Sequence, residues 1–255
     1  MSAARAVAAR LVVACVAFAV TPAGAQSLGS RVAGVRDGTV RMTFAARPGV
    51  CGAENGGVSF RRGDETMGVT SGRRCTTGPL VVTIGRADSQ TASVRVRVAT
   101  SPGDRPGRAD IGEVSPLEAF AYLTDLAHHL SGRNASDAVT AAALARDVDV
   151  SPGFQTLVRD ASASLTAREQ ALFWLGESDA PTADIIGLYD GLAPFALREH
   201  FAFVLSQRHD DQALDKLIDV ASHDRDLEIR RRAMFWLGQS NDPRAVKFFR
   251  EVLSR

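Results

Sequence analysis

The sequence predicts an α+β protein that is mainly α: a C-terminal α-solenoid of helical hairpins preceded by a small, disulfide-stapled antiparallel β-domain. Residues 171–181 (ALFWLGESDAP) recur as residues 233–243 (AMFWLGQSNDP), and a weaker copy begins at Arg198. Their spacing of about 31 residues is typical of stacked helical hairpins, each of which needs a neighbour to bury its apolar face. Residues 38–99 instead alternate apolar and polar side chains, which predicts strands.

The first 25 residues have the pattern of a secretory signal peptide. Arg5 and Arg10 precede an apolar run over residues 11–20, and Ala23 and Ala25 occupy the small-residue positions that a signal peptidase reads. We expect cleavage after Ala25 and a periplasmic or secreted protein without membrane attachment. A lipid anchor at Cys15 is the alternative, although this cysteine lies early in the apolar run.

Residues 26–100 form the predicted β-domain, with four to six strands separated by Gly-rich turns. The mature chain keeps Cys51 and Cys75, and an even pair in an exported protein favours a disulfide over two unrelated buried thiols. Closing this loop would stabilise the domain by about 3 kcal/mol. Two Pro-Gly pairs then interrupt all periodicity, and we interpret residues 101–114 as a linker.

The two halves of the mature chain carry opposite charge. Residues 26–114 contain 13 Arg, no Lys and 8 acidic residues, whereas residues 115–255 contain 15 basic and 21 acidic residues. A basic half could bind a polyanion or an acidic surface. The simpler explanation of the charge asymmetry is compositional drift, with the two halves docked on each other. With arginine in large excess over lysine, codon bias accounts for the basic residues, and no nucleic-acid partner is predicted.

Residues 115–255 predict a leading helix, one degenerate hairpin and three clear hairpins. Thr166 and Glu169 match a capping box, which predicts the start of the first clear hairpin at Thr166. Each first helix has an arginine near its start, a leucine on its buried face and an aspartate in the turn that follows. These positions are Arg168, Arg198 and Arg230; Leu175, Leu205 and Leu237; and Asp179, Asp210 and Asp242.

The pattern Arg168-x-x-Ala171-x-x-x-Leu175-Gly176, with an acidic turn and a second amphipathic helix, resembles the short HEAT repeat of the phycobilin-lyase-like kind. The likeness covers residues 115–255, and the chain is similar to exported bacterial HEAT-repeat proteins with a small N-terminal β-region. The resemblance implies a ladder in which the three arginines pair with the turn aspartates, with His209 replacing the aspartate at the aligned middle turn unless Asp210 substitutes. It implies no lyase activity, because no residues match a chromophore site.

Catalytic and metal-binding patterns are not found in the sequence. The histidines, including the adjacent His128 and His129, lack the spacing of a metal site, and no nucleophile elbow, phosphate loop or dinucleotide fingerprint occurs. No cofactor and no metal are predicted. Trp174 and Trp236 hold a fixed place in the repeat, so we interpret them as core residues and not as an aromatic cage.

These observations predict a non-enzymatic, exported protein-protein interaction or scaffold module. Its partner surface is predicted on a face of the solenoid or on the last helix, where an apolar stripe is also suited to a homo-oligomer. The stripe comprises Phe248, Phe249, Val252 and Leu253. The alternative is a cell-envelope enzyme or enzyme accessory whose β-domain binds a ligand near Arg61, Arg62, Arg73 and Arg74. A third hypothesis is a purely structural protein in which the β-domain caps the solenoid.

Overall fold

A computed structural model describes residues 26–52, 58–62, 65–68, 76–99 and 109–254. The signal peptide predicted for residues 1–25, including Cys15, lies outside the described residues. The strands are β1 (Gly38–Phe44), β2 (Val50–Gly52), β3 (Val58–Arg62), β4 (Glu65–Gly68), β5 (Leu80–Ala87), β6 (Gln90–Val98) and β7 (Ala109–Glu113). The helices are α1 (Leu28–Ala33), α2 (Pro116–His128), α3 (Gly132–Ala143), α4 (Ser151–Arg159), α5 (Leu165–Gly176), α6 (Thr182–Ile186), α7 (Phe195–Ser206), α8 (Asp211–His223), α9 (Leu227–Gln239) and α10 (Pro243–Leu253), with a 3₁₀ turn at Tyr189–Gly191.

A four-stranded sheet has the order β6-β5-β1-β7. β1 and β5 pair antiparallel, with Val40 opposite Ile84, and β5 and β6 form an antiparallel hairpin. Val40, Met42 and Phe44 are fully buried, as their alternation in the sequence predicts. No described helix is long and apolar enough to span a membrane.

The prediction of a linker over residues 101–114 is wrong for its C-terminal part. Residues 109–113 form β7, which pairs parallel to β1, so the sheet is not purely antiparallel. β7 contains one β-branched residue, Ile111, and a glycine, and its strand conformation therefore depends on the hydrogen bonds that β1 supplies. Residues 101–108, which hold the Pro-Gly pairs, lie outside the described residues.

A second, three-stranded antiparallel sheet has the order β2-β3-β4. Cys51 on β2 is buried and its thiol is not free. A backbone bridge joins Gly52 to Thr76, but Cys75 lies outside the described residues. The Cys51–Cys75 disulfide therefore stays a prediction.

The helices after α1 pack in two layers. α3, α5, α7 and α9 contact one another in that order, and the second layer contains α2, α4, α6, α8 and α10. Small residues allow the close packing of the first layer: Ala171 and Ala233 are fully buried, and an added Cβ on Gly176 would lie 2.6 Å from Cγ1 of Val204. The chain is thus mixed α+β and mostly helical.

The start of α5 differs from the predicted capping box. The N-cap is Ser164, whose Oγ accepts a hydrogen bond from the Ala167 amide at 3.3 Å. Thr166 and Glu169 both lie inside the helix. A serine two residues upstream forms the same type of cap, so the helix begins earlier than the Thr166–Glu169 pattern predicts.

The sheets and helices share one continuous apolar core. The edge strand β6 lies against α3, where the Asn134 side chain accepts from the Val94 amide and donates to the Ala92 carbonyl, both at 3.1 Å. The ring of Phe60 on β3 contacts Trp174 on α5, with 6.0 Å between ring centroids. The β-region therefore packs against the N-terminal side of the first helical layer.

Candidate interaction surfaces

The hairpins present two edges with different chemistry. The loop edge contains the segments that lead into α5, α7 and α9, namely residues 160–164, 187–194 and 224–226, and the turn edge contains residues 177–181, 207–210 and 240–242, which join the helices of each hairpin. Charged side chains also meet across neighbouring hairpins. Glu199 of α7 and Arg232 of α9 form an ion pair at 3.1 Å.

The three repeat arginines lie at the loop edge. Arg168 donates to the Val158 carbonyl at 2.9 Å, and Arg230 donates to the Asp224 carbonyl at 3.0 Å. Arg198 donates to the Asp224 carboxylate at 2.9 Å and lies 3.6 Å from the Asp226 carboxylate. The arginines therefore contact the segment between hairpins, and not the turn aspartates that the resemblance implied.

Helix geometry explains this difference. Arg198 is in the first turn of α7, and the helix continues to Ser206, about 12 Å further along its axis at 1.5 Å per residue, before the turn that holds Asp210. An arginine side chain cannot span that distance. Spacing along the repeat does not show which end of the hairpin each side chain reaches.

Asp224 connects two hairpins. Its carboxylate accepts hydrogen bonds from Arg198, from the Tyr189 hydroxyl and from the Asp226 amide. Burial by itself raises the pKa of Asp224, but these hydrogen bonds and the charge of Arg198 outweigh burial and lower it. The pKa of Tyr189 is raised by burial and by its bond to Asp224. This buried cluster therefore fixes the segment between α8 and α9 against α7.

The turn aspartates have other roles. Asp210 and Asp242 are the N-caps of α8 and α10, where they accept from the amides of Ala213 and Arg244 at 2.9 and 2.8 Å. Asp179 is exposed on the first turn and also has an interaction partner. Asp210 and Asp242 therefore begin helices and do not pair with the first-helix arginines.

Arg208 fills the space between the first two turns. Its guanidinium donates to the carbonyls of Gly176 and Ala180 at 3.1 and 2.8 Å and to the Thr182 hydroxyl at 2.8 Å, with a longer bond to the Ser178 carbonyl. Thr182 in turn donates to Asp210 at 2.6 Å. The last carbonyls of a helix lack intrahelical partners. One arginine from the next hairpin satisfies the Gly176 carbonyl at the end of α5 and two carbonyls of the turn that follows.

A row of exposed apolar side chains follows the loop edge. Leu165, Phe195 and Leu227 are 42, 38 and 60% exposed, and each is the first residue of its first-layer helix. Their spacings of 30 and 32 residues match those of the repeat. We name these three residues the apolar row. Sequence reasoning missed it, although comparing the residue three positions before each repeat arginine would have found it.

The predicted surface on the last helix divides into two faces. Phe248 is only 8% exposed and belongs to the core, so its assignment to a partner surface is wrong. Phe249 is half-buried against the core, whereas Val252 and Leu253 are 39 and 85% exposed. Val246 is also exposed on this helix, and the outward apolar set is therefore Val246, Val252 and Leu253.

The remaining candidates are structural or lie outside the described side chains. His128 bonds to Asp160 at 2.9 Å, and the described residues contain no cluster of three or more potential metal ligands. Trp174 is buried and Trp236 half-buried against the core. The side chains of Arg61 and Arg62, like residues Arg73 and Arg74, lie outside what the structure describes.

Comparison with known proteins supports the repeat. The PBS lyase HEAT-like repeat family matches residues 229–255, which cover α9 from its third residue onward and all of α10. This match supports HEAT-like repeats in the helical region. Comparisons with curated proteins and with solved structures gave no match.

Proposed function

We propose that this chain is an exported, non-enzymatic protein-protein interaction or scaffold module. Its HEAT-like hairpins form an α-solenoid, and the β-domain, stapled by Cys51 and Cys75, lies at one end. The mature protein begins after the cleavage site at Ala25 and works in the periplasm or outside the cell. The apolar row of Leu165, Phe195 and Leu227 is the observation that carries the proposal.

The apolar row supports protein binding because its side chains are exposed in register. Scattered apolar residues on a surface are ordinary, but aligned ones on successive hairpins give a partner a continuous strip to bury. The contacts between α5, α7 and α9 bring the three helix starts along one edge. Burying a leucine or phenylalanine side chain contributes about 1.5–3 kcal/mol, so three of them can anchor a partner.

Site-specific crosslinking tests this surface. A photo-crosslinking amino acid is placed at Leu227 in the full chain, expressed in its native host, and the adducts are compared with those from Leu117. Leu117 is the matched control because it is a leucine of similar exposure, 66% against 60%, near the start of a second-layer helix. We expect a discrete adduct at Leu227 that Phe195→Glu abolishes; identical adducts at both sites would contradict the proposal.

The outward face of α10 supports self-association as part of the same function. Val246, Val252 and Leu253 are exposed on that helix, so a second copy of the chain can cover them. Sedimentation of the mature protein over a range of concentrations measures this directly. We expect a reversible dimer that Leu253→Asp weakens, and a monomer at every concentration would remove self-association from the proposal.

A further inference from the structure

The second inter-hairpin gap at the turn edge contains an open cavity of about 600 Å³. The ends of α7 and α9 and the starts of α8 and α10 surround it, and Leu214, Leu217 and Trp236 provide apolar lining. It lies between the second and third hairpins, one gap further along than the space that Arg208 fills. The two gaps can therefore be compared within one molecule.

The second gap lacks an arginine equivalent to Arg208. The shift of 32 that relates Arg198 to Arg230 also relates Arg208 to Ser240, and serine is too short to reach back to the preceding turn. Ser240 instead accepts the Asp242 amide at 3.1 Å. The carbonyls that match those of Gly176, Ser178 and Ala180, at a shift of 30, belong to Ser206, Arg208 and Asp210. The Asp210 carbonyl accepts from the Leu214 amide at 3.3 Å, and among the described residues no donor contacts the carbonyls of Ser206 or Arg208.

The cavity also favours a cation over an anion. The C-terminal ends of α7 and α9, at Ser206 and Gln239, both line it, and helix C-termini carry partial negative charge. The N-terminal ends of α8 and α10 also line it, but their capping carboxylates, Asp210 and Asp242, occupy them. The partly negative C-terminal ends of α7 and α9 are therefore left without a charged partner.

The two arginines that line the cavity already have partners. Arg244 binds Asp211 and Asp215 at 2.7 and 3.2 Å and its own neighbour Asp242 at 3.0 Å. Arg208 is held by the first turn. Neither guanidinium is free to satisfy the open carbonyls of the second turn.

We propose that this cavity binds the guanidinium group of an arginine side chain from a protein partner, in the way that the first gap holds Arg208. The planar guanidinium presents several donors to a set of carbonyls, and its methylene stem packs on Leu214, Leu217 and the Trp236 ring. The site deepens the proposed function, on which it rests, by naming a chemical feature of the partner. It lies on the turn edge and leaves the apolar row free.

Small probes test the site on the intact mature protein. Acetyl-arginine methylamide is titrated by NMR beside its neutral isostere, the citrulline derivative, and beside the lysine derivative. We expect the arginine probe to bind at least about tenfold more tightly than citrulline, which corresponds to about 1.4 kcal/mol, and to shift resonances of Trp236 and the Gln207 amide. Equal binding of arginine and citrulline would overturn the proposal.

Two variants of Ser240 distinguish loss of probe binding because the cavity is filled from loss because the protein is unfolded. Ser240→Arg supplies in cis the side chain that the gap lacks, and we expect it to raise the melting temperature and abolish probe binding. Ser240→Ala loses the same hydroxyl but leaves the cavity open, so it keeps probe binding. Undiminished binding of the arginine probe to a folded Ser240→Arg variant would refute the site. Failure of crosslinking at Leu227 would instead contradict the proposed protein-binding function and would leave this test of the site unaffected.

Discussion

The Arg198 guanidinium donates to the Asp224 carboxylate across 2.9 Å, with side chains only 8 and 4% exposed. Arg198 belongs to α7, and Asp224 follows α8 at the entry to α9. The Asp224 carbonyl also accepts from Arg230. Asp224 therefore connects α7 to α9, through its carboxylate to Arg198 and through its backbone carbonyl to Arg230.

We expect Arg198→Met to destabilise the protein by about 3–5 kcal/mol, because it leaves the Asp224 carboxylate buried without its charged partner. Urea unfolding followed by circular dichroism measures the loss. The double variant Arg198→Met/Asp224→Asn removes both charges and is expected to lose less than the sum of the single variants. Additive losses would show that the two residues act independently.

Acid is expected to weaken the Arg198–Asp224 ion pair. The pKa of Asp224 is lower in the folded state than its ordinary value, because hydrogen bonds and the Arg198 charge outweigh burial. Its contribution to stability is therefore fully present above the unfolded pKa of about 3.9 and is lost as the pH falls through the folded pKa. Unfolding free energies measured from pH 6 to 2 should fall less steeply for Asp224→Asn than for the natural chain, and equal slopes would contradict this account of Asp224.

Asp160 offers a direct titration test. Hydrogen bonds from the Ser162 hydroxyl and amide, followed by the bond to His128, lower the pKa of Asp160 to about 2. Carbon-13 NMR of the carboxyl group reads this value. Ser162→Ala removes one of the two Ser162 bonds and is expected to raise the pKa of Asp160 toward 3.8; an unchanged value would contradict the assigned cause.

Two glycines at equivalent repeat positions are expected to respond oppositely to alanine. An added Cβ at Gly176 lies 2.6 Å from Cγ1 of Val204, whereas the same atom at Gly238 meets nothing within 4 Å. Valine is stiff about χ1, so Gly176→Ala should cost about 1–3 kcal/mol through overpacking. Gly238→Ala should instead stabilise α9 by up to about 1 kcal/mol. Thermal unfolding of both variants compares the two sites, and equal shifts would argue against the close α5–α7 contact.

The two tryptophans of the repeated block provide a similar comparison. Trp174 is buried and contacts Phe60 of the β-region, whereas Trp236 is half-buried and contacts Phe203. We expect Trp174→Ala to cost about 3–5 kcal/mol and Trp236→Ala distinctly less. Chemical denaturation measures both, and a larger loss at Trp236 would contradict the described packing.

The repeat made the helical region predictable, because buried positions such as Leu175, Leu205 and Leu237 recur with its period. The partners of the arginines were not predictable in this way. A period relates equivalent positions but does not show that Arg198 reaches Asp224, which is 26 residues away on the next hairpin segment.

Strand β7 shows the second limit of the sequence. Ala109–Glu113 has little intrinsic strand propensity and becomes a strand through pairing with β1. The cavity beside Ser240 could not be predicted from the sequence either. It exists because serine is too short to fill the space that Arg208 fills one hairpin earlier. That difference becomes informative only when the contacts of Arg208 are known.

The parallel pairing of β1 with β7 also makes the N-terminal sheet dependent on residues far along the chain. Strand β1 is complete at Phe44, but its neighbour β7 begins at Ala109 and the helix that covers β6 ends at Ala143. Long-range pairings of this kind form slowly. The N-terminal sheet can therefore reach its final form only when β7 and the first two helices of the helical region, α2 and α3, are available to pack on it.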